Sequence, residues 1–426
     1  MAFVRSFEWM WKSNVDPFSD SEPAEWKPYS DVENLIIEEA YTTSRTLAVL
    51  DNYIITFENT MQSSKTDENK QRPVKRIKCN ADDNHLREDR FSFSPMNAER
   101  PFGGLYGWIS PFIRETMKDL NIRPHQLPST NEVIVPMIVT KAADGIIEEA
   151  KQIGSKIQGE KLARLLLDKK DAGMEEVWKR CAYMYTLQTF LYKIIGEAMR
   201  WIGSEKFERR WFDKVRTLGP FCLLLWDNPY CYEPTKNGTI LYRGIKIDDD
   251  IINAFQKECS KKEKTLCSLQ AFTSCSRNRK EAEKFGNVLF IMIVKHAFTV
   301  DLQPVSYYPY EEEELILPSV CFTADRMEFD KRTNKHVIYL NLIQQHRRDD
   351  DYQVSRYSVN SKRQGDAISR TFDAFTRDFR DAAAHDDDLF LRLGNRGRPG
   401  FLRRTVDRLF RRREGIYRTG CEDDYD

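Results

Sequence analysis

At 426 residues, with 41% hydrophobic, 12% aromatic and 31% charged residues, the chain is long and apolar enough for two or three packed domains and too rich in aliphatics to be disordered throughout. Lys plus Arg equals Asp plus Glu at 66 each, so overall charge selects no polyanionic partner and only local charge is informative. The longest apolar runs, such as Val288 to Val294, fall far short of the roughly 18 residues that a membrane span needs.

The first residues, Met1 to Trp9, hold no apolar signal core, and nine cysteines without a CxxC pair suit free thiols better than a disulfide framework. The expected location is therefore cytoplasmic or nuclear. Residues 1–78 are dense in Trp and Tyr. Their spacing predicts a helix from Asp31 to Tyr41 after Ser30, and the β-rich run Tyr53 to Phe57 predicts a strand. This is a small α+β domain. Residues 79–100 read as a linker, and the next section reads as a helical lobe whose clearest helix runs from Trp178 to Trp201, with apolar residues recurring at three and four positions.

From Thr239 the pattern turns to strands: Ile240 to Tyr242, Leu269 to Thr273, Val288 to Val294, Phe298 to Leu302, Glu314 to Leu317, Val320 to Thr323 and Val337 to Leu342, with a short helix from Arg279 to Phe285. Helices followed by strands without crossovers predict an α+β domain over 101–346 with mainly antiparallel pairing. Residues 347–426 form a charged tail. Between Arg392 and Arg418 its net charge is +8, and 399–413 reads as a basic amphipathic helix. Such a helix suits nucleic acid, poly(ADP-ribose) or anionic lipid through charge alone, and no function is assigned to it.

The sequence lacks a Walker A loop, GxGxxG, HExxH and GxSxG, and its six His are scattered without metal-ligand spacing. No metal site is expected. What remains is a set on the β-rich section: Leu241-Tyr242-Arg243-Gly244, then Phe272-Thr273-Ser274-Cys275-Ser276, then Glu311-Glu312-Glu313-Glu314 before Leu315-Ile316-Leu317-Pro318. Singly, these read as a surface ion pair, a turn and a solvated acidic loop.

Together, in chain order and context, they resemble the arginine–serine–glutamate signature of the ADP-ribosyltransferases, in the arginine-modifying branch with a Glu-x-Glu pair. The resemblance runs from about Pro101 to Gln345 and implies a helical lobe followed by two packed, mainly antiparallel β-sheets. It also implies transfer of ADP-ribose from NAD+ (or NADP+), as co-substrate rather than resident cofactor, to arginine side chains of proteins, with release of nicotinamide. An NAD+ glycohydrolase or toxin-like enzyme and an inactive ADP-ribose-binding scaffold are the alternatives.

The residue roles it implies make chemical sense. Arg243 would bind the pyrophosphate or adjacent ribose, and Gly244 would leave its backbone open to the nicotinamide carboxamide. Ser274 would hold the catalytic glutamate, although Cys275 stands where the family's Ser-Thr-Ser motif has Thr. Phe285 would cover the nicotinamide, or else pack in the core. Glu314 would stabilise the oxocarbenium-like ribosyl cation and Glu312 would orient the acceptor guanidinium; alternation along a strand puts both on one face, and repulsion among four Glu predicts a raised pKa.

Residues 7–76 resemble a WWE domain, with Trp9 or Trp11 as its first Trp, Trp26 as its second and Glu38-Glu39 as its acidic position. The resemblance implies that Tyr53, Gln62 and Arg72 bind ADP-ribose or its polymer by stacking, base-edge pairing and phosphate contact. A protein is the alternative partner.

Overall fold

In the computed structural model, the described residues are 6–19, 21–79, 109–123, 126–230 and 234–344. Most of the expected linker and the whole expected tail helix at 399–413 lie outside them.

The first domain is a six-stranded sheet in the order β2-β1-β6-β5-β4-β3, made of β1 (Phe7–Lys12), β2 (Trp26–Pro28), β3 (Leu47–Val49), β4 (Tyr53–Thr56), β5 (Met61–Ser64) and β6 (Gln71–Lys78). Helix α1 (Asp31–Thr42) packs on it where the sequence predicts a helix. Ser30 and Glu33 explain its start, since each side chain bonds the other's backbone N–H in a capping box. Trp9, Tyr29, Ile37, Leu50 and Ile55 form the core. Glu38 ties helix to sheet: the Trp9 indole donates to it at 2.8 Å and Arg76 grips it with two bonds of 2.9 and 2.6 Å. Of the two candidates for the first tryptophan, Trp9 is thus the one bonded to the acidic position at Glu38. Arg76, the main cause, holds the Glu38 carboxyl below the usual carboxylate range.

The helical lobe comprises α2 (Pro111–Asp119), α3 (Val135–Gln152), α4 (Lys156–Leu167), α5 (Met174–Thr186), α6 (Phe190–Arg200) and α7 (Glu208–Trp226). The single helix expected from Trp178 to Trp201 is two helices. Leu187 is extended (φ −69°, ψ 144°), and the Thr189 hydroxyl accepts the Leu191 N–H at 3.1 Å, starting a new helix.

The strand section forms eight strands in the order β11-β12-β9-β7-β10-β14-β13-β8. They are β7 (Ile240–Ile245), β8 (Cys267–Ser268), β9 (Thr273–Ser276), β10 (Val288–His296), β11 (Thr299–Asp301), β12 (Glu313–Ile316), β13 (Cys321–Asp330) and β14 (Lys335–Ile343), with α8 (Asp249–Ser260) and the five-residue α9 (Arg279–Glu283) between them. The strand expected over Leu269 to Thr273 is displaced to β9, whose pairing with β12 sets its bounds.

Among the described residues, only the strand pair Tyr242–Ser276 joins β11-β12-β9 to the other five strands. Cys275 and Ile316 of the smaller half pack with Leu241, Phe290 and Met292 of the larger, so the halves are two packed sheets around one core. Pairing is antiparallel except between β10 and β14, which run parallel after a long excursion through β11, β12 and β13. That exception obeys the need of parallel neighbours for a crossover.

Candidate active site

Positions 243, 274 and 314 fall on three neighbouring strands, β7, β9 and β12. The guanidinium of Arg243 donates to the carbonyl of Ser274, which ties β7 to β9 across their sparse junction. Ser274 stands opposite Leu315, and Cys275 opposite Glu314. Side chains opposite one another share a face, so the residue of the Ser-Cys-Ser set beside Glu314 is Cys275. Its thiol is pushed up to about 12, first by burial, with Arg243 opposing and Glu314 adding to the rise. A neutral thiol there acts as apolar filling.

The hydroxyl that bonds Glu314 is Thr299 of β11, at 2.5 Å. Arg277 approaches the other carboxylate oxygen at 3.0 Å and reaches Asp301 at 2.5 Å. Glu314 is 6% exposed. Burial, the largest influence, pushes its carboxyl above the usual carboxylate range; Thr299 and Arg277 pull it back, and Asp301 adds to the rise. The raised pKa expected from the acidic run is present at Glu314, and its leading cause is burial, with mutual repulsion of the four Glu absent from the main influences. Burial also works against the charge of Arg277, but Asp301, Glu314 and Glu312 outweigh it and raise that pKa.

Glu312 does not lie on the strand. It closes a 3-10 turn over Pro309–Glu311 in the left-handed region, at φ 47°, and β12 begins one residue later. Alternation therefore does not place it on the face of Glu314. Its side chain accepts from Asn278 at 3.5 Å, while its carbonyl accepts the Arg277 N–H at 3.1 Å. Ser276 secures the turn by donating to the Glu311 carbonyl at 2.6 Å.

Gly244 serves packing. A Cβ there would meet the Ala282 carbonyl oxygen at 2.1 Å and that of Phe285 at 2.7 Å, so the side a larger residue would fill already belongs to α9 and the residues after it. This brings Gly244 against Phe285, whose ring is buried. Arg200, absent from the expected set, ends α6 as a buried guanidinium pulled down to about 10, mainly by burial and next by Arg243.

In the first domain, Tyr53, Gln62 and Arg72 share one face of β4, β5 and β6, because Ile55 pairs with Gln62 and Gln62 with Arg72. Tyr53 is partly exposed, whereas Gln62 is buried and accepts the Tyr29 hydroxyl at 2.5 Å. Burial, then Glu33 and Tyr53, raise the pKa of Tyr29. Arg72 donates to the carbonyls of Lys12 and Asn14 at 2.9 and 2.7 Å and lies over the Trp11 ring.

Among the described residues, no group of three or more His, Cys, Asp and Glu is set to hold a metal ion, and no helix is long and apolar enough to cross a membrane.

Residues 181–348 match the family model described as NAD:arginine ADP-ribosyltransferase, and residues 7–76 match that of the WWE domain. No curated protein matches the chain at a significant level. Similar solved structures include the ADP-ribosyltransferase HopU1 of Pseudomonas syringae, at 17% identity and a TM-score of 0.32 over 52% of this chain and 98% of that one. An ADP-ribosyltransferase of Clostridium botulinum has 14% identity and a TM-score of 0.30 over 46% and 95%. An ADP-ribosyltransferase toxin of Paenibacillus larvae has 17% identity and a TM-score of 0.29 over 47% and 96%.

Proposed function

We propose that this chain, a WWE domain joined to an ADP-ribosyltransferase domain, moves ADP-ribose from NAD+ or NADP+ to arginine side chains of proteins, and that its WWE domain recruits it to poly(ADP-ribose). The observation that supports the reading best is the meeting of Arg243, the Ser-Cys-Ser strand and Glu314 on adjacent strands from positions some 30 to 40 residues apart.

Arg243 offers a planar fork to the diphosphate. As the bond between nicotinamide and ribose C1′ breaks, its electron pair leaves with nicotinamide and positive charge grows on the ribose. Glu314, fixed by Thr299, stabilises that charge. A guanidinium nitrogen of the acceptor then bonds C1′ and gives up a proton, for which Glu312 is the proposed acceptor. Ser274 positions Arg243 through its carbonyl, and Phe285 beside Gly244 is the aromatic proposed for the nicotinamide end.

In the WWE domain, Tyr53 is exposed enough for a base to stack on it, and Gln62 and Arg72 lie beside it on the same face. Protein is the alternative ligand.

Labelled NAD+ with an arginine-rich acceptor tests the transfer. Label in the acceptor that hydroxylamine removes supports arginine transfer. Nicotinamide release without labelled protein supports a glycohydrolase, and intact NAD+ supports a scaffold. Retention of the full chain on poly(ADP-ribose), lost in Tyr53→Ala, tests the recruitment; equal retention of both proteins refutes that role for Tyr53.

A further inference from the structure

We propose that Asp31, in the WWE domain, is a positioning residue for the transfer reaction: it fixes Tyr308, and through Tyr308 the acidic turn that carries Glu312 and delivers Glu314. The inference rests on the transfer reading above and adds a residue from outside the transferase domain.

Asp31 opens α1, where an acidic residue is ordinary on grounds of the helix dipole and is normally solvated. Here it is 4% exposed. Ser30 and Glu33 already cap the helix, which leaves the Asp31 carboxylate for other partners. One of its oxygens accepts the Tyr308 hydroxyl and the other accepts the Gln188 N–H at 2.6 Å. Both donors belong to the second domain, one on the approach to the acidic turn and one in the break between α5 and α6.

Neighbouring residues make the same connection. Val32 is fully buried in the core of the helical lobe. Asn34 donates to the Tyr307 hydroxyl at 3.3 Å while accepting the Trp9 N–H at 2.7 Å. The Tyr307 N–H in turn donates to the Thr186 hydroxyl at 3.1 Å.

From Tyr308 the path to the glutamates is short. The Tyr308 carbonyl accepts the Glu311 N–H at 3.1 Å, opening the 3-10 turn that ends at Glu312. On its other side the turn is held by Ser276 and by the Arg277 backbone. The acidic turn is thus gripped from β9 and, through Tyr308, from the WWE domain. Displacement of a reacting group by about 1 Å can cost on the order of 10²-fold in rate, so the second grip bears on turnover.

The test uses the full chain and follows nicotinamide release from NAD+ in wild type, Asp31→Asn, Tyr308→Phe and the double variant, with thermal unfolding recorded for each. Asp31→Asn keeps the shape but turns an amide N–H₂ toward one of two donors; Tyr308→Phe removes only the hydroxyl. Each single variant is expected to lower kcat by about 10- to 100-fold, the scale of a hydrogen bond to a charged group, with KM for NAD+ within about twofold of wild type. The double variant should be little worse than either single one, because both break one link.

Unchanged kcat in a folded Tyr308→Phe, or losses that multiply in the double variant, overturns the inference even if Asp31→Asn does not fold. An inactive wild type overturns the transfer reading and this inference together. An active wild type with fully active variants overturns this inference alone.

Discussion

Glu314 combines a burial that opposes charge with a proposed role that needs it, and its neighbours set the balance. Its pKa is raised, so the acid limb of nicotinamide release should lie above that of an exposed carboxylate. Arg277→Ala removes an influence that lowers this pKa and should move the limb to still higher pH; pH–rate profiles of the two proteins, with an unmoved limb, would contradict the assignment. An acid with a raised folded pKa adds stability at low pH, and that contribution disappears as pH rises through the folded pKa. Glu314→Gln should therefore cut nicotinamide release by roughly 10²- to 10⁴-fold, yet match wild type in melting temperature in acid and exceed it at neutral pH. Arg243 and Glu314 were legible as candidates because each sits in a distinctive local run, before Gly244 and before Leu315-Ile316-Leu317-Pro318. Thr299 and Arg277 were not, because their contacts arise only when β11 and the end of β9 come to flank β12. The face shared by Cys275 and Glu314 likewise depends on register, which no local pattern states.

Helix α1 was legible from Ser30, Glu33 and the apolar spacing, all local features. The division of α5 from α6 was not, because apolar residues keep their three-and-four spacing across Leu187 and Thr189 and periodicity alone cannot see a cap. Thr189→Ala should cost about 1 kcal/mol and lower the melting temperature by roughly 2–4 °C in a scanning calorimeter. No change would mean that Leu187 and tertiary packing alone divide the helices. At Glu312 a correct strand was extended one residue too far, and a left-handed turn residue replaced the alternation that the pair was expected to follow. The parallel neighbours β10 and β14 escaped for a related reason: of the strands between them in sequence, β11 and β12 pair in the other half and β13 on the far side of β14, and together they supply the crossover.

The two domains were legible as separate units, while their union was not, since it is made of polar groups far apart in sequence. Asp51, in the turn before β4, accepts the N–H groups of Ile157 and Gln158 at 2.7 and 3.3 Å and so caps α4 from the other domain. Glu39 meets Lys161 at 2.5 Å nearby. Asp51→Ala should leave α4 without this cap and cost the full chain about 1 kcal/mol of stability, seen as a lowered melting temperature; an unchanged transition would show the contact to be energetically neutral. A different consequence follows from β14, which lies between β10 and β13 although it is the last strand described. During synthesis the WWE domain has all its strands early, but β10, the partner of the strand bearing Arg243, lacks its other neighbour until residue 343 has cleared the ribosome. The sheet that carries Arg243 is thereby completed late in synthesis, and the proposed transfer activity is expected to emerge only with it.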